Sequence, residues 1–216
     1  TLRNSSAASD VYKRQRLRFN ASYFVMNYDD KQEELQLPSD TGTGQKTVVT
    51  NASEATIQGL ELEVQALLGE GLSLRANLGW LDTEYDNFQY TDAVSSETVD
   101  LSYLEFRRAP DITATVDATY EWETSYGRAW VRGAVHYLGE HWVNVTNSPE
   151  LENDAQNLID ASVNFEVNNW RFALFGRNLS DEDGYTHGYD VAGLWSYAAV
   201  RAPRTFGVEA IYEFGD

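Results

Sequence analysis

The amino-acid sequence predicts an all-β protein: an antiparallel transmembrane β-barrel, about eight strands of which lie in this chain. Three observations lead there. Segments of strict apolar/polar alternation recur along the chain, and a period of two is the mark of a strand. Their polar members carry full charges in mid-strand, among them Glu61, Glu63, Asp117, Asp160 and Glu166. A dry interior would hold so many ions only at several kcal/mol apiece, roughly. The connections also alternate between long and short, as in outer-membrane barrels with short periplasmic turns and long external loops. The apolar face is therefore expected to meet lipid, and the charged face a wet lumen.

The strands follow in order. Leu17, Phe19, Ala21, Tyr23 and Val25 alternate with Arg18, Asn20 and Ser22, in a strand continued through Tyr28. Pro38, Gly42 and Gly44 mark an acidic loop after it. A second strand is expected from about Thr47 to Leu67, where Leu60, Leu62, Val64 and Ala66 oppose Glu61, Glu63 and Gln65. Gly69-Glu70-Gly71 makes a tight turn into a third strand, Leu72 to Trp80. After Tyr85 a polar stretch runs to Arg107. Ile112, Ala114, Val116, Ala118, Tyr120 and Trp122 define the fourth strand. Ala129, Val131, Gly133, Val135 and Tyr137 define the fifth.

A long connection containing Pro149 reaches Gln156, and Ile159, Ala161, Val163, Phe165 and Val167 make the sixth strand. Asn168-Asn169 is a two-residue hairpin turn into the seventh, with Trp170, Phe172 and Leu174 on one face. A loop rich in Gly, Tyr and His precedes the last strand. There Phe206, Val208, Ala210, Tyr212 and Phe214 share one face, and Ile211 is the only apolar residue on the other. Each strand is expected to have the ~9–11 residues that cross a bilayer at a tilt. Aromatic side chains near the strand ends predict two interfacial girdles. Tyr28, Trp80, Tyr85 and Trp142 lie by long connections, and Tyr120, Trp122, Trp170, Tyr212 and Phe214 by short ones.

Composition closes off other classes. Mean hydropathy is −0.48 and no run approaches the roughly 18 apolar residues of a spanning helix. A net charge of −18 argues against nucleic acid, which needs a basic footprint. With no Cys there is neither a disulfide framework nor a thiolate metal site. Residues 1–15 are Ser/Ala-rich, basic and without alternation, and are expected to be a non-native or disordered leader. Residues 16–216 form the barrel portion.

No nucleophile–base pair or phosphate-cradling Gly loop is present, so neither an enzyme nor a cofactor is expected. His136, His141 and His187 lack metal-ligand spacing, and no metal site is expected. Arg75, Arg128, Arg132, His136, Arg171 and Arg177 fall on the polar phase as lumen-lining residues, where arginines meet an anionic ligand or pair with carboxylates. The last long loop, with Tyr185, His187, Tyr189, Trp195 and Tyr197, combines rigid aromatics with Gly hinges. It is the best candidate for external ligand contact.

Several stretches together resemble the C-terminal barrel of TonB-dependent outer-membrane receptors. They are Asn51–Glu63 ending in Gly-Leu-Glu-Leu-Glu, Gly71–Tyr85, Arg108-Ala-Pro110, Phe175-Gly-Arg-Asn-Leu-Ser180 with Tyr185, and Ala202–Val208. The resemblance spans residues 16–214. It implies the C-terminal part of a barrel of about 22 strands in the bacterial outer membrane. It further implies that the plug domain, the other strands and the TonB-contacting segment lie upstream. The cargo implied is a scarce nutrient, a ferric siderophore first, with heme, cobalamin or a saccharide open. Outer-membrane lipid is one partner. Another is the barrel assembly machinery, which would read the last strand from Phe206 through Val208, Ala210 and Tyr212 to Phe214. Two other readings remain: a complete small eight-stranded barrel of structural or adhesive role, and a soluble β-sandwich or lipocalin-like binder.

Overall fold

Side chains that alternate at a period of two let every strand bond to both neighbours while keeping one apolar face. The eight strands use this to form a single antiparallel sheet. The structure, a computed structural model, describes residues 16–41, 44–92, 95–191 and 194–214, with the backbone alone at 51–53. The leader of residues 1–15, Gly42 and the two residues after Phe214 lie outside the described residues. The first four sheet strands are β1 (Leu17–Pro38), β2 (Gln45–Leu67), β3 (Leu72–Asn87) and β4 (Ile112–Glu123). The other four are β5 (Arg128–Leu138), β6 (Gln156–Val167), β7 (Trp170–Arg177) and β8 (Thr205–Tyr212). They lie in chain order. Among the described residues β1 pairs only with β2 and β8 only with β7. A self-contained small barrel would join β8 to β1; this open sheet is part of a larger one.

Register places Phe19, Val64, Ala76, Val116, Val135 and Ile159 in one row across six strands. That face is bare. Val116 is 46% exposed, Val163 55% and Val208 82%, the reverse of a sandwich with a dry centre. On the opposite face Glu123, Arg128, Glu166 and Arg171 form a row of alternating sign near the short turns. Arg128 Nη2 donates to Glu166 Oε2 at 2.8 Å, and cross-strand pairs of this kind are the unit of sheet stabilisation. Arg132 pairs with Asp117 at 2.5 Å and Arg171 approaches Glu209 at 3.9 Å. Phe175 also sits on this charged face because Gly207 lies directly opposite it. A Cβ at Gly207 would come within 2.3 Å of the Phe175 ring. At the β2–β3 turn, Gly71 has φ +81°, and a Cβ there would lie 2.0 Å from the Glu121 carbonyl oxygen.

The structure revises four expectations. The last two strands hold eight residues each, fewer than expected. The acidic stretch after Tyr28 is not a loop: β1 and β2 stay paired through Pro38–Gln45, well past the apolar band. Within that extension Asp30 adopts a left-handed φ of 56°. Beyond it Glu33 and Leu35, on the parity of the bare apolar face lower down, are buried beside Tyr85, which belongs to the charged-face parity. Tyr85 and Trp142 therefore do not join a girdle. Tyr85 is buried, and Trp142 lies in a loop with its Nε1 donating to Glu105 at 3.2 Å. At the short-turn end the aromatics do cluster, with ring centroids 5.6 Å apart for Tyr120–Trp122 and 4.9 Å for Trp170–Tyr212. Finally, the stretch taken as polar between Tyr85 and Arg107 carries a core. Phe88, Leu104 and Phe106 pack with Leu35, Ala55, Tyr85 and Val145.

Candidate functional site: the packed long connections

All long connections leave the same end of the sheet, as a meander requires, and here they fold onto one another. Residues 88–111 hold a short ladder, Gln89–Thr91 with Thr98–Asp100. Residues 139–155 hold another, His141–Trp142 with Glu152–Asn153. Residues 178–204 hold a hairpin, Tyr185–Asp190 with Ser196–Val200.

Beneath them lies a charged knot. Glu33 is 3% exposed. Its Oε1 accepts from Lys31 Nζ and from the Tyr85 hydroxyl, the latter at 2.8 Å. Arg107 Nη2 stands 3.7 Å from Glu33 Oε2, which has no hydrogen bond of its own. Lys31 Nζ also lies 4.4 Å above the Phe106 ring. Burial, with Arg107 adding to it, lowers the Lys31 ammonium to about 8. Burial pushes the Tyr85 hydroxyl up to about 12, Arg107 pulling the other way. Both groups lie past the apolar band.

The hairpin is held by side chains that imitate backbone. Asn153, itself buried, accepts from the Tyr185 N–H at 2.8 Å and donates to the Tyr185 carbonyl at 2.9 Å, completing a bridge that no strand supplies. His141 Nδ1 is 2.8 Å from the Gly139 carbonyl and so carries the proton, which leaves Nε2 to accept from Asn153 Nδ2 at 3.1 Å. Asn178, with φ 49°, is the hinge at the end of β7. Its side chain accepts from Glu182 N–H and donates to the Glu182 carbonyl, both at 2.9 Å. This gives the Phe175–Ser180 stretch a structural reason.

Between these elements opens a cleft of about 240 Å³. The β1 extension contributes Glu34 and Gln36, the next connection Arg107 and Arg108, the third Asn144 to Thr146, and the hairpin His187 to Asp190. Of the aromatic candidates, His187 and Tyr189 reach this cleft. Tyr197 meets both with tilted rings at centroid distances of 5.6 and 5.5 Å, and Trp195 meets Tyr189 edge-on at 5.5 Å. Tyr185 is instead tied by its backbone to Asn153. Arg75, Arg128, Arg132, His136, Arg171 and Arg177 share the charged face of the sheet, away from this cleft. His136 Nδ1 lies 3.2 Å from Thr115 Oγ1, and Arg177 sits 5.2 Å from the Phe175 ring. The sequence reading missed Lys31, Glu33, Arg107, Arg108, His141 and Asn153. Arg107-Arg108, the only doubled arginine in so acidic a chain, was the available signal.

An open antiparallel meander with a bare apolar face and a charged opposite one is the pattern of a segment of a large membrane barrel. The chain belongs to the TonB-dependent receptor-like β-barrel family, whose model matches residues 2–179. That membership places it in the outer membrane, in a family of transport receptors rather than enzymes. Solved structures share the fold. The ferric yersiniabactin uptake receptor of Yersinia pestis superposes with a TM-score of 0.73 at 22% identity, over 93% of this chain and 28% of that one. A siderophore receptor from Acinetobacter baumannii gives 0.66 at 22%, over 90% and 26%. The ferripyoverdine receptor of the Pseudomonas aeruginosa outer membrane, bound to ferripyoverdine, gives 0.59 at 18%, over 92% and 25%. The chain thus spans about a quarter of the length of these receptors.

Proposed function

We propose that this chain is the C-terminal barrel portion of a receptor that imports a ferric siderophore across the outer membrane with energy supplied through TonB. The observation that carries the reading is the packed body of long connections on a family barrel, with a cleft opening between them. Solved relatives with this fold are receptors for iron chelates. In this reading the charged face, with Arg75, Arg128, Arg132, His136, Arg171 and Arg177, lines the lumen and meets a plug domain encoded upstream. The long connections are external, and Tyr185, His187, Tyr189, Trp195 and Tyr197 belong to the surface that meets ligand. The strand from Phe206 to Phe214 is the one the assembly machinery engages. The chain acts as a receptor, not an enzyme.

The test is uptake. Cells carrying the full-length gene, and a matched deletion, are starved of iron and offered radiolabelled ferric chelates, with and without functional TonB. The expected result is accumulation that needs both the gene and TonB. Equal accumulation in all strains across the chelate panel refutes the reading.

A further inference from the structure

The uptake reading leaves unassigned which part of a chelate these connections grip. We propose that the cleft between Arg107, Arg108, His187 and Tyr189 is a subsite for one anionic aryl arm of an iron chelate, a catecholate or phenolate group. Arg108 is its charge-reading residue. The inference rests on the uptake reading.

Four observations carry it. First, Arg108 is presented, not merely exposed. It holds a left-handed φ of 56°, a conformation that a long side chain seldom adopts. Its N–H is fixed to the Trp142 carbonyl at 2.7 Å. Just upstream, the Glu105 N–H donates to Asn147 Oδ1 at 2.7 Å, and Asn147 Nδ2 donates back to the Glu105 carbonyl at 3.1 Å. Both flanks of the arginine pair are therefore pinned to the neighbouring connection.

Second, the two arginines differ in what is left of their charge. Arg107 is drawn to buried Glu33 at 3.7 Å, whereas among the described residues Arg108 has no carboxylate within ion-pair distance. A guanidinium with free N–H donors suits a planar oxyanion. Third, the hairpin brings a braced aromatic residue to the lining. Tyr189 is braced by Trp195 and Tyr197, so it can present a flat face with little loss of rotamer freedom on binding. Buried Val145 supplies an apolar patch.

Fourth, size and charge narrow the guest. A cleft of about 240 Å³ has room for one substituted ring, since roughly 150 Å³ suffices for benzene. Glu34 and Asp190 also line it. Their charge opposes a compact polyanion such as citrate. A group whose negative charge is spread over a ring, and which reaches Arg108 at one edge, meets less of that repulsion.

The experiment uses the full-length receptor and two ferric probes, a tris-catecholate and a neutral tris-hydroxamate. Binding is read by tryptophan quenching, with heat-modifiable gel mobility reporting the folded barrel. Wild type is expected to bind the tris-catecholate. R108Q should weaken that binding roughly 10- to 100-fold, the worth of one charge-assisted contact. R108K should recover part of the loss, and Y189A should weaken tris-catecholate binding as well. Folded R108Q and Y189A that bind tris-catecholate as wild type does overturn the subsite. Wild type that binds the tris-hydroxamate alone overturns the subsite and spares the uptake reading. Wild type that binds neither overturns the subsite as drawn, and the uptake measurement above then decides the function separately.

Discussion

Val116 gives the sharpest test of which face meets hydrocarbon. It lies on β4 between Ile112 and Trp122, in the bare apolar row, and is 46% exposed. At about 3.4 Å of rise per residue and a tilt near 45°, Ile112 and Trp122 stand roughly 24 Å apart along the bilayer normal. That matches an apolar band of about 25 Å, with Val116 about 10 Å from one edge and so near the midplane. An arginine at that depth costs about 2–4 kcal/mol, or roughly a 30- to 900-fold loss in the folding equilibrium. Val116→Arg in the full-length receptor should show this deficit in urea titrations of folding into lipid vesicles. Thr115→Arg, one residue away on the face that carries Asp117 and His136, should stay within about 1 kcal/mol of wild type. Equal penalties at the two positions would refute the assignment of faces, and with it the membrane reading of the whole sheet.

Other consequences are local. Lys31 is lowered to about 8 in the folded cap. Between about pH 8 and pH 10 the unfolded chain therefore binds more protons than the folded one, and cap stability rises with pH across that window. Limited proteolysis of residues 88–111 should slow as pH rises in wild type, and Lys31→Met should remove that trend; an identical trend in both would sink the account. Asn153→Ala removes both bonds to the Tyr185 backbone and should loosen the hairpin by about 1–3 kcal/mol. The readout is faster hydrogen exchange at the Tyr185 amide, with the sheet unchanged. Gly71→Ala meets the Glu121 carbonyl at a left-handed φ and should cost at least about 1–3 kcal/mol. Gly133→Ala, with nothing within 4 Å, should leave the heat-modification midpoint unmoved.

The sheet was legible because its information is periodic. Every strand keeps one apolar and one polar phase, and a slip of one residue would invert all of its contacts. Leu60 to Ala66 against Leu74 to Trp80 is enough to fix that register by eye. The long connections were not legible for the same reason. Phe88, Leu101, Leu104 and Phe106 obey no period, and they pack with residues far away in the chain, Leu35, Ala55 and Val145 among them. Asp30 hid a second feature. A single left-handed residue lies where the buried parity of β1 changes, so Glu33, an unremarkable acid in sequence, becomes the buried centre of a charged knot. Side chains that stand in for backbone, such as Asn153 opposite Tyr185, carry no pattern at all.

The extension of the β1–β2 hairpin and the three long connections after it form one linked body, not four separate arms. Glu33 on that extension, the first of the four, meets Tyr85 on β3 and Arg107 on the second. The second is joined to the third by Glu105–Asn147 and Arg108–Trp142, and the third to the fourth by Asn153–Tyr185 and by Ser196 Oγ donating to Glu150 at 3.1 Å. Loops that bind while still disordered lose part of their contact energy to their own ordering, about 0.5–1.5 kcal/mol for each side chain immobilised. Here the contacts just named already tie these side chains to one another. In the proposed subsite a guest would therefore meet fixed donors and fixed rings, and discrimination between chelates would fall to Arg108 and Tyr189. Flexible loops would instead repack around any guest, and single substitutions among them would be shared out and small. The size of the R108Q effect thus measures the rigidity of the linked body as well as the charge of its ligand.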